Sequence, residues 1–241
     1  MFIVMGWSTF IDMNFRDLIV EYPEVLDKDL CDTIIDLFEE SQHKIEGISS
    51  QGNGSNIKIS TDLHISAIDD PKWADIDAKL YKLLEPVVLD WNTYLVENLG
   101  NIISGVVQDS GYQIQRTSVG GKYDWHTDDS NSAILDTARY SNSTDSLMAW
   151  YTRRYSTYIM YLNDQKNNFE GGRTQFKIGN GDIMSIEPKM GTVLMFPANA
   201  LFTHRGEVVT SGNKYLITGW LSDCIECQAH ESHELSQQLM S

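Results

Sequence analysis

The apolar residues of the first hundred positions recur with a helical period. Between residues 22 and 42, Asp27 stands as an N-cap before apolar positions that are three or four residues apart. A second such segment, residues 71–99, begins with a proline, which suits a helix start, whereas Pro86 should kink this helix or divide it in two. Its apolar positions are Trp73, Ile76, Leu80, Leu83, Leu84, Val87, Trp91 and Leu95. We predict that this part of the chain, residues 1–104, is mainly helical.

Short β-rich runs follow residue 105, and glycine, asparagine and proline separate them. The runs lie at residues 112–117, 123–126, 155–162, 173–178, 183–187, 192–196, 201–204 and 214–221. Eight short strands with frequent turns are typical of a sandwich or jelly roll. We therefore predict an α+β protein with one domain, residues 1–223, in which a β core at 105–223 follows the helical part. A short strand or hairpin is expected at 57–65 and a polar tail at 224–241.

One polar segment interrupts the series of strands. Residues 129–146 contain nine serine, asparagine or threonine residues among eighteen positions. This composition offers little apolar surface for burial, so we predict a mobile surface loop. Long loops beside functional sites often act as lids, and we expect this one to close over a substrate. A tolerated surface insertion without a role is the alternative.

The chain is strongly acidic, which limits the kinds of partner that it can bind. Its 18 basic and 34 acidic residues give a net charge of −16 at pH 7. Such a surface repels phosphate backbones and anionic membranes, so neither nucleic acid nor a membrane surface is an expected partner. A neutral or basic partner is favoured, although a local basic pocket can still bind one small anion.

Three cysteines in 241 residues are too few for a disulfide scaffold and favour a reducing compartment. The N-terminus is apolar but has no basic residue before Arg16, unlike a signal peptide. No apolar run approaches the roughly 20 residues that span a bilayer. We therefore expect a cytoplasmic protein.

One pair of side chains has the spacing of metal ligands. His126 and Asp128 are two residues apart, so in an extended strand they face the same side. His204 follows Asp128 by 76 residues, and a jelly roll brings such distant strands side by side. Two imidazoles and one carboxylate form the facial triad of non-haem Fe(II) oxygenases. The alternative for His126 alone is a surface histidine beside an acidic turn. A buried Lys214 would need an anionic partner, which a dicarboxylate co-substrate would supply.

Four longer motifs surround these residues in order along the chain. They are TSVGGKYDWHTD at 117–128, RYSTYIMYLND at 154–164, GGRTQF at 171–176 and PKMGTVLMF at 188–196. Over roughly residues 22–222 the chain resembles the Fe(II)- and 2-oxoglutarate-dependent dioxygenases, in their prolyl 4-hydroxylase-like branch. The resemblance implies a double-stranded β-helix (jelly-roll) core with supporting N-terminal helices. It also implies Fe(II) bound by His126, Asp128 and His204, 2-oxoglutarate bound by Lys214, and O2 as the oxidant.

The same resemblance assigns further residues to the site. Thr174 corresponds to the threonine that helps to hold the C5 carboxylate of 2-oxoglutarate, and Trp220 to an aromatic residue near that pocket. Tyr123 and Arg154 correspond to positions near the peptidyl-substrate groove of prolyl hydroxylases. A tyrosine that commonly binds 2-oxoglutarate is replaced by Thr117. The smaller hydroxyl of Thr117 is therefore expected to leave a reshaped or wetter co-substrate pocket.

The resemblance implies hydroxylation of an unactivated C–H bond, with a prolyl residue in a peptide or protein as the favoured substrate. A free amino acid or a small metabolite is the alternative substrate, and ascorbate is a further implied cofactor. Two other kinds of protein stay open from the residues. One is a metal-binding cupin enzyme that uses another ion, and the other is a catalytically silent binding module that keeps the fold. The oligomeric state is left open.

The C-terminal residues carry a second candidate metal cluster. Cys224, Cys227, His230 and His233 follow one another at three-residue intervals. This spacing is shorter than that of the usual zinc fingers, so we interpret the segment as a polar tail that carries two thiols. A zinc site is the alternative.

Overall fold

The computed structural model describes residues 14–48, 56–100, 103, 106–129, 131–135 and 148–228. Its helices are α1 (Lys28–Glu40) and α2 (Pro71–Leu99), with 3-10 turns at Phe15–Leu18 and Ile65–Ala67. Its strands are β1 (Val20–Tyr22), β2 (Ile45–Glu46), β3 (Lys58–Ile59), β4 (Thr61–His64), β5 (Val106–Asp109), β6 (Gln113–Thr117), β7 (Lys122–His126), β8 (Asn131–Leu135), β9 (Met148–Tyr161), β10 (Phe169–Gly171), β11 (Thr174–Lys177), β12 (Ile183–Ile186), β13 (Val193–Pro197), β14 (His204–Gly206), β15 (Val209–Gly212) and β16 (Lys214–Gln228).

Both predicted helices form. Asp27 accepts a hydrogen bond from the backbone N–H of Leu30 at 2.8 Å and caps α1 at the predicted position. α2 is one continuous helix, so Pro86 does not divide it. Pro86 is exposed, and water can therefore solvate the backbone carbonyl that loses its partner there. Leu83 is partly buried, and the other predicted apolar positions of α2 are buried, namely Trp73, Ile76, Leu80, Leu84, Val87, Trp91 and Leu95. No helix among the described residues is long and apolar enough to cross a membrane.

Two antiparallel sheets make up the β core. The larger sheet has the strand order β1-β13-β9-β16-β6-β4-β2, with β5 beside β16 and β8 beside β9. The smaller sheet has the order β12-β11-β14-β7-β3, and β10 pairs with β15 separately. Strands that are distant in the sequence are therefore neighbours in both sheets. The predicted α+β class, with helices before a β core, is confirmed.

α2 supports the larger sheet through its buried face. Trp91 is fully buried, and its indole N–H donates to the Ser156 hydroxyl on β9 at 2.7 Å. Truncation of a buried tryptophan costs roughly 3–5 kcal/mol, so this contact is a strong constraint on β9. β9 also carries Arg154 and Thr157, which reach the site described below. The helix thus fixes the strand that supplies them.

The segment 57–65 forms two strands but not a hairpin. β3 pairs with β7 of the smaller sheet, whereas β4 pairs with β6 and β2 of the larger sheet. The chain therefore crosses from one sheet to the other at Ser60. Local alternation predicts that strands form here, but it contains no information on which distant strands they pair with.

The predicted loop at 129–146 is partly a strand. Asn131–Leu135 forms β8, which pairs with the first half of β9 and places Asn131 opposite Arg153. Polar side chains do not prevent this pairing, because backbone groups form the ladder. Residues 136–147 lie outside the described residues, and with them most of the proposed lid.

The C-terminal boundary also differs from its prediction. β16 continues to Gln228, which lies opposite Met148 at the start of β9. The tail that was predicted to start at residue 224 therefore begins later, because β9 offers backbone partners beyond the apolar part of β16. Residues 229–241 lie outside the described residues, so the alternative zinc site with His230 and His233 stays a hypothesis.

Candidate active site

Three side chains with metal-binding atoms converge where β7 and β14 meet. His126 ends β7, Asp128 follows it, and His204 begins β14, opposite His126 in the antiparallel register. Their ligand atoms all lie within 4.8 Å of one another. The Nε2 atoms of His126 and His204 lie 3.6 and 3.5 Å from oxygens of the Asp128 carboxylate. The structure thus brings together the two halves of the predicted triad.

The backbone determines which nitrogen of each histidine is available to a ligand. Nδ1 of His126 lies 2.8 Å from the backbone carbonyl of Asp124, and Nδ1 of His204 lies 3.0 Å from that of Phe202. A carbonyl oxygen only accepts hydrogen bonds, so each Nδ1 carries the proton and donates. Each Nε2 therefore keeps a lone pair, and both of these atoms lie beside the Asp128 carboxylate.

The surroundings hold this cluster in the protonation states that bind metals. Burial, and then the neighbouring His204 ring, lower the pKa of His126 to about 4, so its imidazole is neutral at neutral pH. Burial raises the pKa of Asp128, but the rings of His204 and His126 and the hydroxyl of Thr157 outweigh it and bring this pKa below its usual value. Thr157 donates to Oδ2 of Asp128 at 2.8 Å. The neutral imidazole of His126 and the ionised carboxylate of Asp128 are ligands that suit Fe(II).

Two aromatic residues flank the triad. Tyr123 stacks on the His126 ring with centroids 3.6 Å apart, and burial raises the pKa of its phenol to about 12. The guanidinium of Arg154 lies 3.9 Å from the ring centroid of Trp220, across the paired strands β9 and β16. Arg154 donates no hydrogen bond to any of the described residues. Its guanidinium is therefore available to a ligand.

Lys214 lies at the start of β16, where it is 4% exposed. Its Nζ donates to the backbone carbonyl of Gly172 at 2.6 Å, and Thr117 is its partner in the register of β6 and β16. Burial lowers the pKa of Lys214 to about 7, and nearby Glu207 offsets this only in part. An ammonium group with so little access to water is stabilised by an anion.

The hydroxyl of Thr174 is oriented by a buried phenol. Tyr161 donates to Oγ1 of Thr174 at 2.7 Å, so the proton of Thr174 itself is left for a ligand. The Tyr161 ring centroid lies 5.5 Å from Nζ of Lys214. A phenol is therefore present beside Lys214 although β6 offers only the smaller Thr117.

One cavity of about 580 Å³ is lined by the three proposed metal ligands and by Lys214 and Thr174. The residues predicted from the sequence all line it: Thr117, Tyr123, His126, Asp128, Arg154, Thr174, His204, Lys214 and Trp220. Lys58, Asp62, Gln113 and Gln115 are among the further polar lining residues that were not predicted from the sequence. Alternation along β6 could have found the two glutamines, since they share a strand face with Thr117. No local pattern marked Lys58 or Asp62.

Comparison with known proteins adds to this geometry. Residues 112–222 match the model of the 2OG-Fe(II) oxygenase superfamily, and no curated protein matches the sequence. The viral collagen prolyl hydroxylase of Paramecium bursaria Chlorella virus-1 is 17% identical, with a TM-score of 0.55 over 85% of this chain and 95% of that chain. A prolyl hydroxylase of Trichoplax adhaerens, in complex with a peptide fragment of the hypoxia-inducible factor oxygen degradation domain, is 18% identical, with a TM-score of 0.60 over 86% and 84%. A prolyl-4-hydroxylase of Pseudomonas putida is 14% identical, with a TM-score of 0.54 over 85% and 91%.

At sequence identities of 14–18%, these similarities show a shared fold. They confirm the predicted jelly-roll core, because the shared structure extends over most of each chain. The matched segment, 112–222, runs from β6 into β16 and contains all nine predicted site residues. Lys58 and Asp62 lie outside it.

Proposed function

We propose that His126, Asp128 and His204 bind Fe(II) in an enzyme that hydroxylates a prolyl residue of a peptide or protein, because residues 112–222 match the model of the 2OG-Fe(II) oxygenase superfamily. Members of this superfamily use Fe(II), 2-oxoglutarate and O2. The observation that carries the metal assignment is the convergence of two imidazoles and a carboxylate within 4.8 Å. The match to this family model argues against the cupin and binding-module alternatives.

Bound Fe(II) supplies the redox chemistry, in which 2-oxoglutarate and O2 yield succinate, CO2 and one oxygen atom for the substrate. The residues of the chain hold and orient the reactants. Backbone carbonyls hold the rings of His126 and His204, and Thr157 holds the Asp128 carboxylate. Lys214 pairs with the C5 carboxylate of 2-oxoglutarate, and the free proton of Thr174 donates to the same group.

A prolyl substrate is supported by two observations. The three similar structures are prolyl hydroxylases, and one of them contains a peptide. In this chain, Tyr123 and Arg154 line the cavity beside the proposed metal ligands. The phenol ring offers an apolar face to a pyrrolidine ring, and the guanidinium offers donors to a carbonyl oxygen.

The purified protein with Fe(II) and 2-oxoglutarate should release succinate several-fold faster when a proline-containing peptide is added. The peptide should gain the mass of one oxygen atom for each succinate formed, and mass spectrometry would measure this. The matched control is the same peptide with alanine in place of proline. Turnover with free L-proline but not with the peptide would contradict the peptidyl substrate and favour a free amino acid.

Ascorbate and a cytoplasmic location belong to the same proposal. Cys31 is a free, buried thiol, which suits a reducing compartment. In the turnover assay, omission of ascorbate should shorten the period over which succinate accumulates. Equal curves of succinate accumulation with and without ascorbate would contradict a role for ascorbate as a cofactor.

Gly172→Ala should weaken the binding of 2-oxoglutarate without affecting Fe(II). Gly172 has φ +65°, and a Cβ there would lie 3.2 Å from Cδ of Lys214 and 3.1 Å from the Phe169 ring. The added methyl group should displace the Lys214 side chain and raise the KM for 2-oxoglutarate about threefold or more, which is about 0.65 kcal/mol. Gly179→Ala is the matched control, since Gly179 has φ +91° with no atom within 4 Å. Equal KM values in the two variants would contradict this account.

A further inference from the structure

A cluster of buried polar side chains lies on the same cavity but outside the proposed metal and 2-oxoglutarate sites. We call Lys58, Asp62, Gln113 and Gln115 the polar wall. Nζ of Lys58 donates to Oδ2 of Asp62 at 2.6 Å, with side-chain exposures of 4% and 1%. Gln113 donates to the same oxygen at 2.6 Å, and Ser60 donates to Oδ1 at 2.8 Å. The Asp62 carboxylate therefore accepts hydrogen bonds from three side chains.

Two groups of the polar wall keep unused hydrogen-bonding capacity. Lys58 has three N–H donors, of which one serves Asp62, and its remaining near contact is the Tyr123 ring, 5.3 Å away. Gln115 lies opposite Asp62 in the β4–β6 register and is 9% exposed, yet its amide makes no hydrogen bond within the part of the chain that the structure describes. Both residues line the cavity, so their remaining N–H groups are available to a ligand that supplies acceptors.

The charge of the cavity differs from that of the whole chain. Its described lining has five lysine or arginine residues and four aspartate or glutamate residues, whereas the whole chain has 18 and 34. The charges of Fe(II) and of the 2-oxoglutarate dianion cancel, so loading both leaves this balance unchanged. Arg154 also lines the cavity, and its guanidinium donates no hydrogen bond to any described residue. The lining is therefore far less acidic than the chain as a whole.

The polar wall is close to the reaction centre. Lys58 is the register partner of Tyr123, whose ring stacks directly on His126 at 3.6 Å. A ligand group held by Lys58 is thus one aromatic ring away from a proposed metal ligand. Lys214 lies on β16, on the other side of β6 from Asp62, and serves a different part of the cavity.

We propose that Lys58 and Gln115 bind a free carboxylate of the primary substrate. The substrate class is then a peptide or protein whose C-terminal residue is the hydroxylated proline, so that this residue carries its own carboxylate. Asp62 holds Lys58 in place by accepting its hydrogen bond, and Gln113 in turn donates to Asp62. This inference rests on the proposed function and restricts its substrate.

N-acetyl-L-proline and N-acetyl-L-prolinamide are matched probes that differ only in the carboxylate. Calorimetry on the protein loaded with Fe(II) and 2-oxoglutarate under nitrogen should show about tenfold or more tighter binding of the carboxylate probe. Lys58→Met with Asp62→Asn removes the ammonium without leaving a buried carboxylate unpaired, and this preference should disappear. Asp62→Asn alone keeps the ammonium and leaves an amide oxygen that can accept its hydrogen bond, so this variant should keep the preference. Gln115→Leu, which leaves the ion pair intact, should reduce the preference several-fold.

Equal binding of the two probes by the wild type, including no binding of either, would overturn the inference. Survival of the preference in the double variant, or its loss in Asp62→Asn, would also overturn it. Binding of Fe(II) and 2-oxoglutarate should be unchanged in all of these variants. A wild type that binds neither Fe(II) nor 2-oxoglutarate would instead contradict the proposed function. A tripeptide that ends in proline should stimulate succinate release more than free L-proline does. Turnover of free L-proline without turnover of the tripeptide would contradict the peptidyl substrate of the proposed function.

Discussion

Alanine in place of His126, Asp128 or His204 should abolish Fe(II)-dependent succinate formation and leave the fold intact. Each substitution removes one of three proposed ligands. The three side chains line an open cavity, so their truncation leaves no closed void in the core. Metal content and succinate release, measured on the same preparations, should both fall to background. Circular dichroism should be unchanged.

Thr157→Val is the matched control for the ligand variants. It keeps all three ligands but removes the hydrogen bond to Oδ2 of Asp128. Loss of such a partner typically costs about 10–100-fold in metal affinity or activity. Excess Fe(II) should therefore restore succinate release by Thr157→Val but not by the alanine variants. An active His204→Ala enzyme with normal iron content would show that the distal ligand is wrong.

The parts of the fold that the sequence predicted well are governed by local physics. The N-cap at Asp27 and the apolar spacing of α2 are contained within a few turns of helix, and both formed as expected. Pro86 does not divide α2, because its exposed position lets water solvate the carbonyl that loses its partner. The kink that was the other predicted effect of Pro86 stays a prediction. β8 was not predicted because its pairing with β9, and not its own sequence pattern, determines its structure.

The site could be predicted only in part. The spacing of His126 and Asp128 suggests one face of one strand, but their approach to His204 depends on the register of β7 with β14. That register is a long-range property, and here the family resemblance supplied it. Lys58 and Asp62 are four residues apart in a non-helical segment that changes sheets, so no periodicity marks them as a pair.

Lys214→Ala should raise the KM for 2-oxoglutarate by about tenfold or more. The ammonium group is 4% exposed, and a hydrogen bond to a charged group contributes about 1.5–3 kcal/mol, while each 1.4 kcal/mol corresponds to tenfold. Lys214→Arg keeps the charge and should have a milder effect. The affinity for Fe(II) without 2-oxoglutarate should be the same in all three proteins. An unchanged KM in the alanine variant would refute the assignment of Lys214.

The same lysine should make the binding of 2-oxoglutarate dependent on pH. Burial lowers the pKa of Lys214 to about 7, so in the free enzyme the ammonium form dominates below pH 7 and is lost as the pH rises above it. Both carboxylates of 2-oxoglutarate stay ionised over this range, and only the ammonium form attracts them. Affinity should therefore be highest near pH 6 and fall by up to about tenfold per pH unit above 7. Calorimetry between pH 6 and 8.5 measures this, and Lys214→Arg, whose guanidinium stays charged, should give a flat profile. A falling profile that persists in Lys214→Arg would assign the titration to another group.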